Sequence, residues 1–568
     1  MDMKKLLSAA AILACTASFA QNINPTVEVT NTYQSNASEI HKPQLGMAVP
    51  DSLLRFDMDF DYEVFEKPYQ GAYNFKPYML AMRPDKDAFR GKDLYLRAGA
   101  GYSLHPQLNF VYSPNQKGPF QMSVYANHGS YFGKYNNLAA ETSDGVYRID
   151  KVAKESFAGH DALTGVGFDG RYNFDKAILS FGIGYDGVMA GDTLFSRSLN
   201  AADFNVRVAS NRSDDKYLFY DVALRGRYAS DHFKAGDNLG ESVFNLLGNV
   251  GPVLDPVQSI LVGFEAETAS YRNLFQGNAG RVALVPKYRI LTGKWDFNLG
   301  IRIEKLFSGV QDEGNTGEPL NAFKGRVVFP EVFVTYKAMD NVSLFASATG
   351  GNSLNTYSSI VSRHHFINPV NTTGTFLDNS TEKINAKVGV RGNLGSRLQF
   401  QLDGGASVHE NGLVDSGIAV LSGARNCYLP AVNYADFSVI YADALFELAA
   451  GKFSLDGGLH LRNMTMRDDA SQGILLPNFS CDFKAVYDFT PRFHAGVRGM
   501  SASSRKGMLD REISIPGYFD LGLLAGYQFN RKLGFWLESG NLLCESIQRS
   551  PFYSEKDLWI TAGIALSL

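Results

Sequence analysis

Residues 383–409 read KINAKVGVRGNLGSRLQFQLDGGASVH and carry the pattern from which the fold of this chain is predicted. In the first half every second residue from 384 to 390 is apolar, and polar residues or glycine stand between them. After a turn at residues 392–395, apolar residues or glycine alternate with polar ones from 398 to 408. Successive side chains of a strand point to opposite faces, so both halves predict strands with one apolar face and one polar face.

The same alternating unit recurs from about residue 92 to the C-terminus. A soluble β-sandwich also alternates, with its apolar face turned inward. Strands as long as the two in residues 383–409, however, suit a tilted bilayer crossing. Short turns also alternate with long polar connections along the chain, as in outer-membrane barrels. The sequence therefore predicts an all-β fold, a transmembrane antiparallel β-barrel of about 22 strands (roughly 20–22) over residues 92–568. Short connections are predicted at residues 173–176, 292–294, 337–341, 392–396, 489–492 and 529–532, and long ones near 130–158, 307–323, 350–380, 409–432, 463–474, 503–516 and 543–557.

The composition fits a wall with lipid on one side and polar contents on the other. The 568 residues include 40 Phe, 28 Tyr and 55 Gly, and 45% are hydrophobic while 20% are charged. The chain is therefore neither disordered nor densely apolar. Beyond the N-terminus it lacks the run of about 18 apolar residues that a transmembrane helix needs. Its formal net charge of −4 gives no reason to expect a nucleic-acid partner.

The N-terminus has the pattern of a cleavable signal peptide over residues 1–20. Two lysines precede an apolar core, and small residues lead to a predicted cleavage between Ala20 and Gln21. The alternative is a lipobox ending at Cys15, which would make that cysteine a lipidated first residue. Leu13 stands where small residues are preferred and favours the cleavable peptide. We therefore expect localisation in the outer membrane of a Gram-negative cell, as a multi-pass β-barrel.

The final strand supplies a further test of the barrel prediction. Barrels inserted by the outer-membrane assembly machinery usually end on a strand with one unbroken apolar face, most often finishing on an aromatic residue. Here the last residue is a leucine. We predict a C-terminal β-signal, and that machinery as a partner during insertion. The predicted signal consists of Leu558, Ile560, Ala562, Ile564, Leu566 and Leu568.

Several local patterns in the C-terminal half resemble the barrel of TonB-dependent receptors from the Bacteroidota. They lie between about residue 320 and the C-terminus, and together with the strand count they imply a receptor-type barrel whose long loops face outside. The patterns are PEVFVTY at 330–336, DNVSL at 340–344, FASATGG at 345–351, INP at 367–369 with STEKI at 380–384, and GNLL at 540–543 before the closing strand.

The N-terminal segment departs from that resemblance. Such receptors carry a plug inside the barrel, and residues 21–91 are about half as long as one. Pro43, Pro50, Pro68 and Pro77 stand at intervals that block helices and central strands. We therefore predict an extended periplasmic or lumenal segment, without a full plug, that docks on another surface such as a periplasmic or lipoprotein partner.

Two GxGxxG matches, at residues 165–170 and 182–187, are not expected to bind a dinucleotide. That motif must close a strand and open a helix. Both copies instead lie inside predicted strands that face each other across one hairpin. Small residues that ease close packing in the barrel wall are the preferred interpretation.

No metal and no cofactor are predicted. His364 and His365 are candidate ligands, but adjacent side chains rarely point the same way and no third ligand stands nearby. Two groups of loop side chains that offer oxygen ligands, Asp312, Glu313 and Asn315 and Asp468 with Asp469, lack the spacing of a calcium-binding loop. The three cysteines after the N-terminus are an odd, widely spaced set without a CxxC pair: Cys427, Cys481 and Cys544.

An outer-membrane enzyme would need a Ser/His or Asp/His constellation at the barrel rim. His409, His460 and His494 lie on predicted strands, and the first two share the inward face with Asp403 and Asp456. Inward polar residues are what a wet lumen requires in any case. We therefore predict no catalytic residue and no enzyme.

Two functions stay open at this point. Solute binding or transport across the outer membrane is favoured by the receptor resemblance, the long loops and the charged lumen face. A non-transporting structural or assembly subunit of an outer-membrane complex is favoured by the proline-punctuated residues 21–91. Outer-membrane lipid is a partner of the apolar face in both cases.

Overall fold

The part of the chain that the computed structural model describes consists mostly of β-strands, whose side chains alternate between two faces. That part comprises residues 93–102, 104–114, 118–210, 218–233, 238–252, 257–312, 319–369, 375–395, 397–422, 425–468 and 471–568. The signal peptide predicted at residues 1–20 and the extended segment predicted at 21–91 lie outside it, so both stay predictions.

The described residues form 26 strands and one short helix. No helix within these ranges combines the length and the apolar character needed to cross a bilayer. The strands are β1 (Leu94–Gly101), β2 (Gln107–Tyr112), β3 (Phe120–Ser143), β4 (Val146–Asn173), β5 (Ala177–Gly191), β6 (Ser196–Ser210), β7 (Leu218–Phe233), β8 (Asn238–Pro252), β9 (Gln258–Asn273), β10 (Phe275–Thr292), β11 (Trp295–Phe307), β12 (Gln311–Asp312), β13 (Val328–Met339), β14 (Val342–Leu354), β15 (Asn379–Leu394), β16 (Leu398–Ser422), β17 (Arg425–Ala450), β18 (Phe453–Met466), β19 (Gly473–Ile474), β20 (Phe479–Thr490), β21 (Phe493–Ala502), β22 (Arg505–Met508), β23 (Glu512–Ile515), β24 (Tyr518–Gln528), β25 (Leu533–Gly540) and β26 (Trp559–Ser567), and the helix is α1 (Tyr357–Arg363).

Of these strands, 22 form one closed antiparallel β-barrel, which confirms the predicted fold class and strand count. β1 closes the barrel on β26, where Ala98 lies opposite Ile564. The last residue completes this seam, because the Leu568 carbonyl accepts hydrogen bonds from the N–H groups of Asp93 at 2.7 Å and Leu94 at 3.0 Å. β12, β19, β22 and β23 lie outside the barrel wall, in the long connections.

The outer surface of the wall is apolar, as the alternation in residues 383–409 predicts. Val388 on β15 is 64% exposed, whereas Ser407 and His409 on β16 are buried on the opposite face. A wall with an exposed apolar exterior and a polar interior is suited to contact with lipid. Similar exposed side chains surround the barrel and include Ile183, Phe244, Leu284, Ile301, Ile440, Leu461 and Leu523.

The predicted C-terminal β-signal has its apolar residues on this outer surface. Ile560, Ala562, Ile564 and Leu568 are exposed and Leu558 and Leu566 are half-buried, while the residues between them in β26 are buried or half-buried. The apolar face is therefore present in the structure. Its recognition during insertion stays a prediction.

The predicted short connections are tight turns at one end of the barrel, here called the turn rim. Gly293 and Gly451 have φ values of +53° and +62° and lie in the turns after β10 and β17, so these turns need the left-handed conformation that glycine adopts easily. Aromatic pairs at the same end form a girdle typical of a membrane interface. They are Tyr172 with Phe174, Trp295 with Tyr336 and Phe489 with Phe493, with ring centroids 4.4, 4.5 and 5.6 Å apart.

The opposite end of the barrel is here called the loop rim. Two of the long polar connections predicted there are paired strands and not loops. Strand pairing continues through residues 130–158 and 409–432, so that β3 stays paired with β4 up to Ser143 and β16 with β17 up to Ser422. The polar composition of these stretches reflects strands that stand in water beyond the wall. They are hairpins that project from the barrel.

The projecting hairpins join neighbouring connections in a second layer, here called the canopy (residues 136–152, 425–435, 473–474 and 505–515). β23 pairs in parallel with β4, where Ile513 lies opposite Tyr147, and β22 pairs with β19. The canopy therefore has a small core of its own, which fixes these connections against one another. That core comprises Leu138, Ile149, Tyr428, Ile474, Leu509, Ile513, Ile515 and Phe552.

Candidate functional site

The connection between β14 and β15 folds into the mouth of the barrel at the loop rim. Its described residues, 355–369 and 375–378, are here called the mouth cap. The inner surface of the wall is apolar at this level, and each apolar side chain buried there contributes up to about 1.5–3 kcal/mol. One buried cluster contains Tyr357, Ile360, Val361, Phe366, Ile367, Phe376 and Leu377 of the cap and Tyr131, Phe195, Leu199, Phe233, Leu239, Tyr271 and Phe275 of the wall.

Helix α1 supplies much of the apolar surface of the mouth cap. Thr356 caps it, because the Thr356 side-chain oxygen accepts a backbone N–H of the first turn at 3.4 Å. Tyr357, Ile360 and Val361 then form one buried face at helical spacing. The interpretation of residues 350–380 as a long polar connection missed this face, although helical spacing after a capping residue was a signal that could have found it.

Three fully buried polar groups fasten the cap to the wall, and Arg197 on β6, Asp231 on β7 and Tyr357 in α1 are here called the latch. The Arg197 guanidinium donates to Asp231 at 2.7 Å and to the Tyr357 hydroxyl at 3.0 Å, and that hydroxyl donates to Asp231. Arg197 also donates to the carbonyls of His365 and Ile367, both at 2.7 Å. Burial raises the pKa of Tyr357 well above its ordinary value, so the hydroxyl keeps the proton that it donates.

Further polar contacts tie the mouth cap to three other strands. The Ser358 N–H donates to Glu241 on β8 at 3.1 Å, and Arg363 donates to Asp415 on β16 at 2.7 Å. The His365 ring lies 3.0 Å from Asp161 on β4. The strands themselves are held by their backbone ladders whether or not the cap is seated. The contacts that close the mouth are therefore separate from the contacts that build the wall.

A second buried set of charges lies inside the wall on β9, β10, β11 and β13. Arg302 donates to Glu265 at 2.9 Å and to Glu331 at 3.1 Å, while Arg281 donates to Glu304 at 3.0 Å. These contacts join β11 to its neighbours β10 and β13 and, across β10, to β9, all of which are strands of the wall. The set is here called the wall cluster and consists of Glu265, Glu267, Glu304 and Glu331 with Arg281, Lys287 and Arg302.

The candidate ligands His364 and His365 both lie in the mouth cap but point apart. The His365 ring contacts Asp161, whereas the His364 ring lies edge-on to Phe366 and Tyr553, with centroids 5.9 and 5.6 Å away. Within the described ranges, no three His, Cys, Asp or Glu side chains are grouped as a metal site. The geometry of the cap supports hydrogen bonding and closure of the mouth.

The other candidate ligands are dispersed. Asp312 belongs to β12 and pairs opposite Phe275, and the Asp468 carbonyl accepts a backbone hydrogen bond from Ser471. The remaining loop oxygens, Glu313, Asn315 and Asp469, lie outside the described residues. Cys427, Cys481 and Cys544 are on β17, on β20 and in the connection after β25.

The strand histidines do not form the constellation that an enzyme would need. A catalytic triad needs the hydroxyl and the carboxylate on opposite nitrogens of the histidine ring. His409 Nε2 instead lies near both, 2.9 Å from the Ser407 hydroxyl and 3.8 Å from Glu382. His460 contacts Asp443 at 2.6 Å on the neighbouring strand rather than Asp456. Of the remaining candidates, Asp403 accepts from Gln401 on its own strand and His494 lies on β21 near the turn rim.

The two GxGxxG matches lie in the barrel wall, as interpreted from the sequence. Gly167 on β4 faces Gly184 on β5, and both strands lead into turns rather than helices. A Cβ at Gly167 would stand 2.3 Å from the Tyr125 ring. The glycine therefore makes room for an aromatic side chain.

Comparison with known proteins gives a fold but no relative in sequence. No protein-family model and no curated protein matches the chain. The copper transporter OprC superimposes with a TM-score of 0.60 and 11% identity, over 84% of this chain and 80% of that chain. The siderophore receptor PiuA from Acinetobacter baumannii superimposes with a TM-score of 0.60 and 10% identity, over 84% of this chain and 82% of that chain. The ferric-catecholate import receptor Fiu from K12 E. coli superimposes with a TM-score of 0.60 and 10% identity, over 86% of this chain and 83% of that chain.

The chain has the fold of a TonB-dependent-receptor barrel. At such low identity the likeness concerns the fold alone. This TonB-dependent-receptor-like barrel is an outer-membrane protein, as predicted. The structures that it resembles carry the names of transporters and receptors, which agrees with the prediction that the chain is not an enzyme.

Proposed function

We propose that this chain is a receptor-type barrel that binds a solute at its mouth and admits it across the outer membrane when the mouth cap leaves its seat. The observation that carries the proposal is the latch, which ties the mouth cap, a segment that is not part of the wall, to β6 and β7. A closure of this kind is removable. The named neighbours transport copper or bind siderophores, and transport of a small solute is the function that the comparison favours here.

The proposal is tested by solute entry into vesicles that contain the full chain. Arg197→Met removes the cation of the latch and leaves Asp231 buried without it, which strongly destabilises such a pair. Arg207→Met is the matched control, because Arg207 pairs with Asp221 at 2.6 Å on the same two strands but is exposed and remote from the cap. We expect faster entry of small neutral and charged solutes with Arg197→Met than with the control. Equal entry into vesicles with and without either protein would contradict transport.

A second candidate is a non-transporting subunit of an outer-membrane complex. It is favoured by the number of separate ties on the cap, which would also suit a barrel that stays shut. We propose that residues 21–91 would then hold a periplasmic or lipoprotein partner. Tagging the protein in a surface loop and purifying it gently should recover that partner in near-equal amount, and deletion of residues 21–91 should release it while the barrel stays folded. Release of no protein would remove this candidate.

We further propose export through the signal peptide at residues 1–20 and insertion through the C-terminal β-signal by the outer-membrane assembly machinery. N-terminal sequencing of the mature protein should begin at Gln21. A mature chain that begins at a lipidated Cys15 would replace this proposal with the lipobox. Replacing Ile564 with Asp should reduce the amount of folded barrel in the outer membrane, because an exposed apolar residue of the last strand becomes charged.

A further inference from the structure

The turn rim carries an excess of cationic side chains that the composition of the chain does not predict. The whole chain has 54 Lys and Arg against 58 Asp and Glu. The described residues 93, 174–176, 293–294, 337–341, 395, 397, 451–452, 488–492 and 529–532 of this rim carry eight cations and four acids, all of them exposed. The acids are Asp93, Asp175, Asp340 and Asp488, and the cations, here called the cation ring, are Lys176, Lys294, Lys337, Arg397, Lys452, Arg492, Arg531 and Lys532.

Hydrogen bonds within the turns fix the backbone that presents the cation ring. The Thr490 hydroxyl accepts the backbone N–H groups of Arg492 at 3.2 Å and Phe493 at 3.0 Å, and the Asn530 side chain accepts the backbone N–H of Lys532 at 2.8 Å. Bonds of this kind between a side chain and a nearby backbone group stabilise a turn. The charged ends of the ring therefore extend from fixed points and stay close to the rim.

The cation ring lies beside the outward aromatic side chains of the girdle. At every turn of this rim that the structure describes throughout, a Lys or Arg stands within two residues of an aromatic residue, as in Lys294 with Trp295 and Arg492 with Phe493. Trp295 is 42% exposed and shares the outer face of β11 with Ile301. Aromatic girdles lie at the headgroup level of a bilayer, and the short turns of outer-membrane barrels are periplasmic. The cation ring is therefore placed at the level of the phosphates of the periplasmic leaflet.

The distribution of the cation ring suits a partner that surrounds the barrel. Its members occur from the turn after β4 to the turn after β24. A single protein segment would contact one arc of this rim, whereas lipid contacts all of it. The acids of the rim are too few to neutralise the ring, and an exposed pair such as Lys337 with Asp340, 3.4 Å apart, is weak. The ring therefore keeps a net positive charge that an anionic surface would balance.

We propose that the cation ring binds the phosphates of anionic phospholipids in the periplasmic leaflet, so that the turn rim prefers phosphatidylglycerol to phosphatidylcholine. Both headgroups carry one phosphate, but the choline cation cancels the charge of its own phosphate. Lys and Arg side chains keep their stems on apolar surface and extend their charged ends to the interface, where an anionic leaflet attracts each of them. This inference concerns the lipid that surrounds the barrel and is independent of solute transport.

The test uses the full chain in phosphatidylcholine vesicles and two probes, phosphatidylglycerol and phosphatidylcholine that are spin-labelled on the same acyl-chain carbon. Electron spin resonance separates probe held at the barrel from probe in the free bilayer, and so gives the ratio of the two association constants. We expect phosphatidylglycerol to associate at least about twofold more strongly at low salt, because an anionic lipid is attracted by each nearby Lys or Arg. The ratio should approach one at about 1 M salt, where charges are screened beyond roughly 3 Å. A ratio of one at low salt overturns the proposal.

Two variants with the same change in net charge locate the preference on the barrel. The turn-rim variant combines Lys294→Gln, Lys452→Gln, Arg492→Gln and Arg531→Gln. The loop-rim control removes four exposed cations at the other end and combines Arg148→Gln, Lys324→Gln, Arg467→Gln and Lys506→Gln. We expect the ratio of association constants to fall toward one in the turn-rim variant and to keep its wild-type value in the control.

Two outcomes contradict the proposal. Equal ratios in the two variants, each with a barrel that still resists unfolding by SDS, would show that the cation ring does not select the lipid. An acidic protein that co-purifies with the wild type and the loop-rim control but not with the turn-rim variant, together with a ratio of one, would replace lipid as the partner of the ring.

Discussion

The latch and the wall cluster are both buried sets of charges inside the barrel, but they join different kinds of partner. The latch ties a connecting segment to β6 and β7, whereas the wall cluster lies within β9, β10, β11 and β13, consecutive strands of the barrel that backbone ladders already hold together. Breaking either set leaves a buried charge without its partner. The consequence should differ, because loss of the latch can be relieved when the cap leaves its seat and loss of the wall cluster cannot.

The largest effect is expected from Glu304→Leu in the wall cluster. Glu304 accepts from Arg281 and Arg302, each at 3.0 Å, and from the Asn352 backbone at 2.6 Å. Removing this carboxylate should lower the free energy of unfolding of the barrel by about 3–5 kcal/mol. Urea unfolding in detergent, followed by circular dichroism, measures it.

A control for this variant exists on the same two strands. Asp296→Leu removes the partner of Arg289 from an ion pair that is 2.7 Å long but partly exposed. Its effect on the free energy of unfolding should stay within about 1 kcal/mol. If Glu304→Leu is no more destabilising than Asp296→Leu, the wall cluster does not hold the wall as described.

Arg197→Met should act on the mouth cap and not on the barrel. It removes the partner of Asp231 and three donors to cap groups, which should weaken cap closure by about 3 kcal/mol, roughly 100-fold. Hydrogen exchange of residues 355–369 should accelerate accordingly, while the urea midpoint of the barrel matches that of Arg207→Met. Loss of barrel stability without faster exchange in the cap would reverse the proposed division of roles.

Tyr357→Phe is a smaller change to the same latch. It removes one hydroxyl, which donates to Asp231 and accepts from Arg197, and keeps the ring in the apolar cluster. Hydrogen bonds to charged groups contribute about 1.5–3 kcal/mol, so exchange in the cap should accelerate less than with Arg197→Met. Exchange that is unchanged from the wild type would show that the hydroxyl does not hold the cap.

The smallest effect is expected from mild acid. His364 has a pKa of about 3 when buried and about 6.5 when released, so the released state binds the extra proton. Cap closure should be insensitive to this group above about pH 7.5 and weaken as the pH falls toward 3, by roughly 1.4 kcal/mol near pH 5.5. His364→Gln should lose this part of the pH dependence of hydrogen exchange, while the other titratable groups contribute equally to both proteins. The same pH dependence in both would contradict the assignment.

The wall of this barrel could be predicted from the sequence because strand alternation is local. Residues 383–409 display both faces of a hairpin, and the outward position of Val388 follows from its neighbours alone. The turns were equally local. What lies inside the mouth depends on contacts between distant residues, because Arg197 and Tyr357 are separated by 160 positions.

The features that were missed have a common physical cause. The apolar face of α1 is short and lies in a segment with many polar residues, so its average composition predicts an exposed loop. The buried apolar residues of the projecting hairpins, such as Leu138, Ile149 and Tyr428, face the small core of the canopy and not lipid. The pattern of a membrane-crossing strand therefore does not reveal these hairpins. In both regions the pairing is specified by partners that are far away in the chain.

Closure of the mouth by the latch is tested most directly by the distance between the mouth cap and the canopy. Spin labels at Ser362, which is exposed in the cap, and at Thr142, which is exposed near the tip of the β3–β4 hairpin, report it by double electron–electron resonance once the native cysteines are replaced. We expect one narrow distance distribution for the wild type and for Arg207→Met, and a broader, shifted distribution for Arg197→Met. An unchanged distribution in Arg197→Met would contradict the claim that the latch holds the mouth closed.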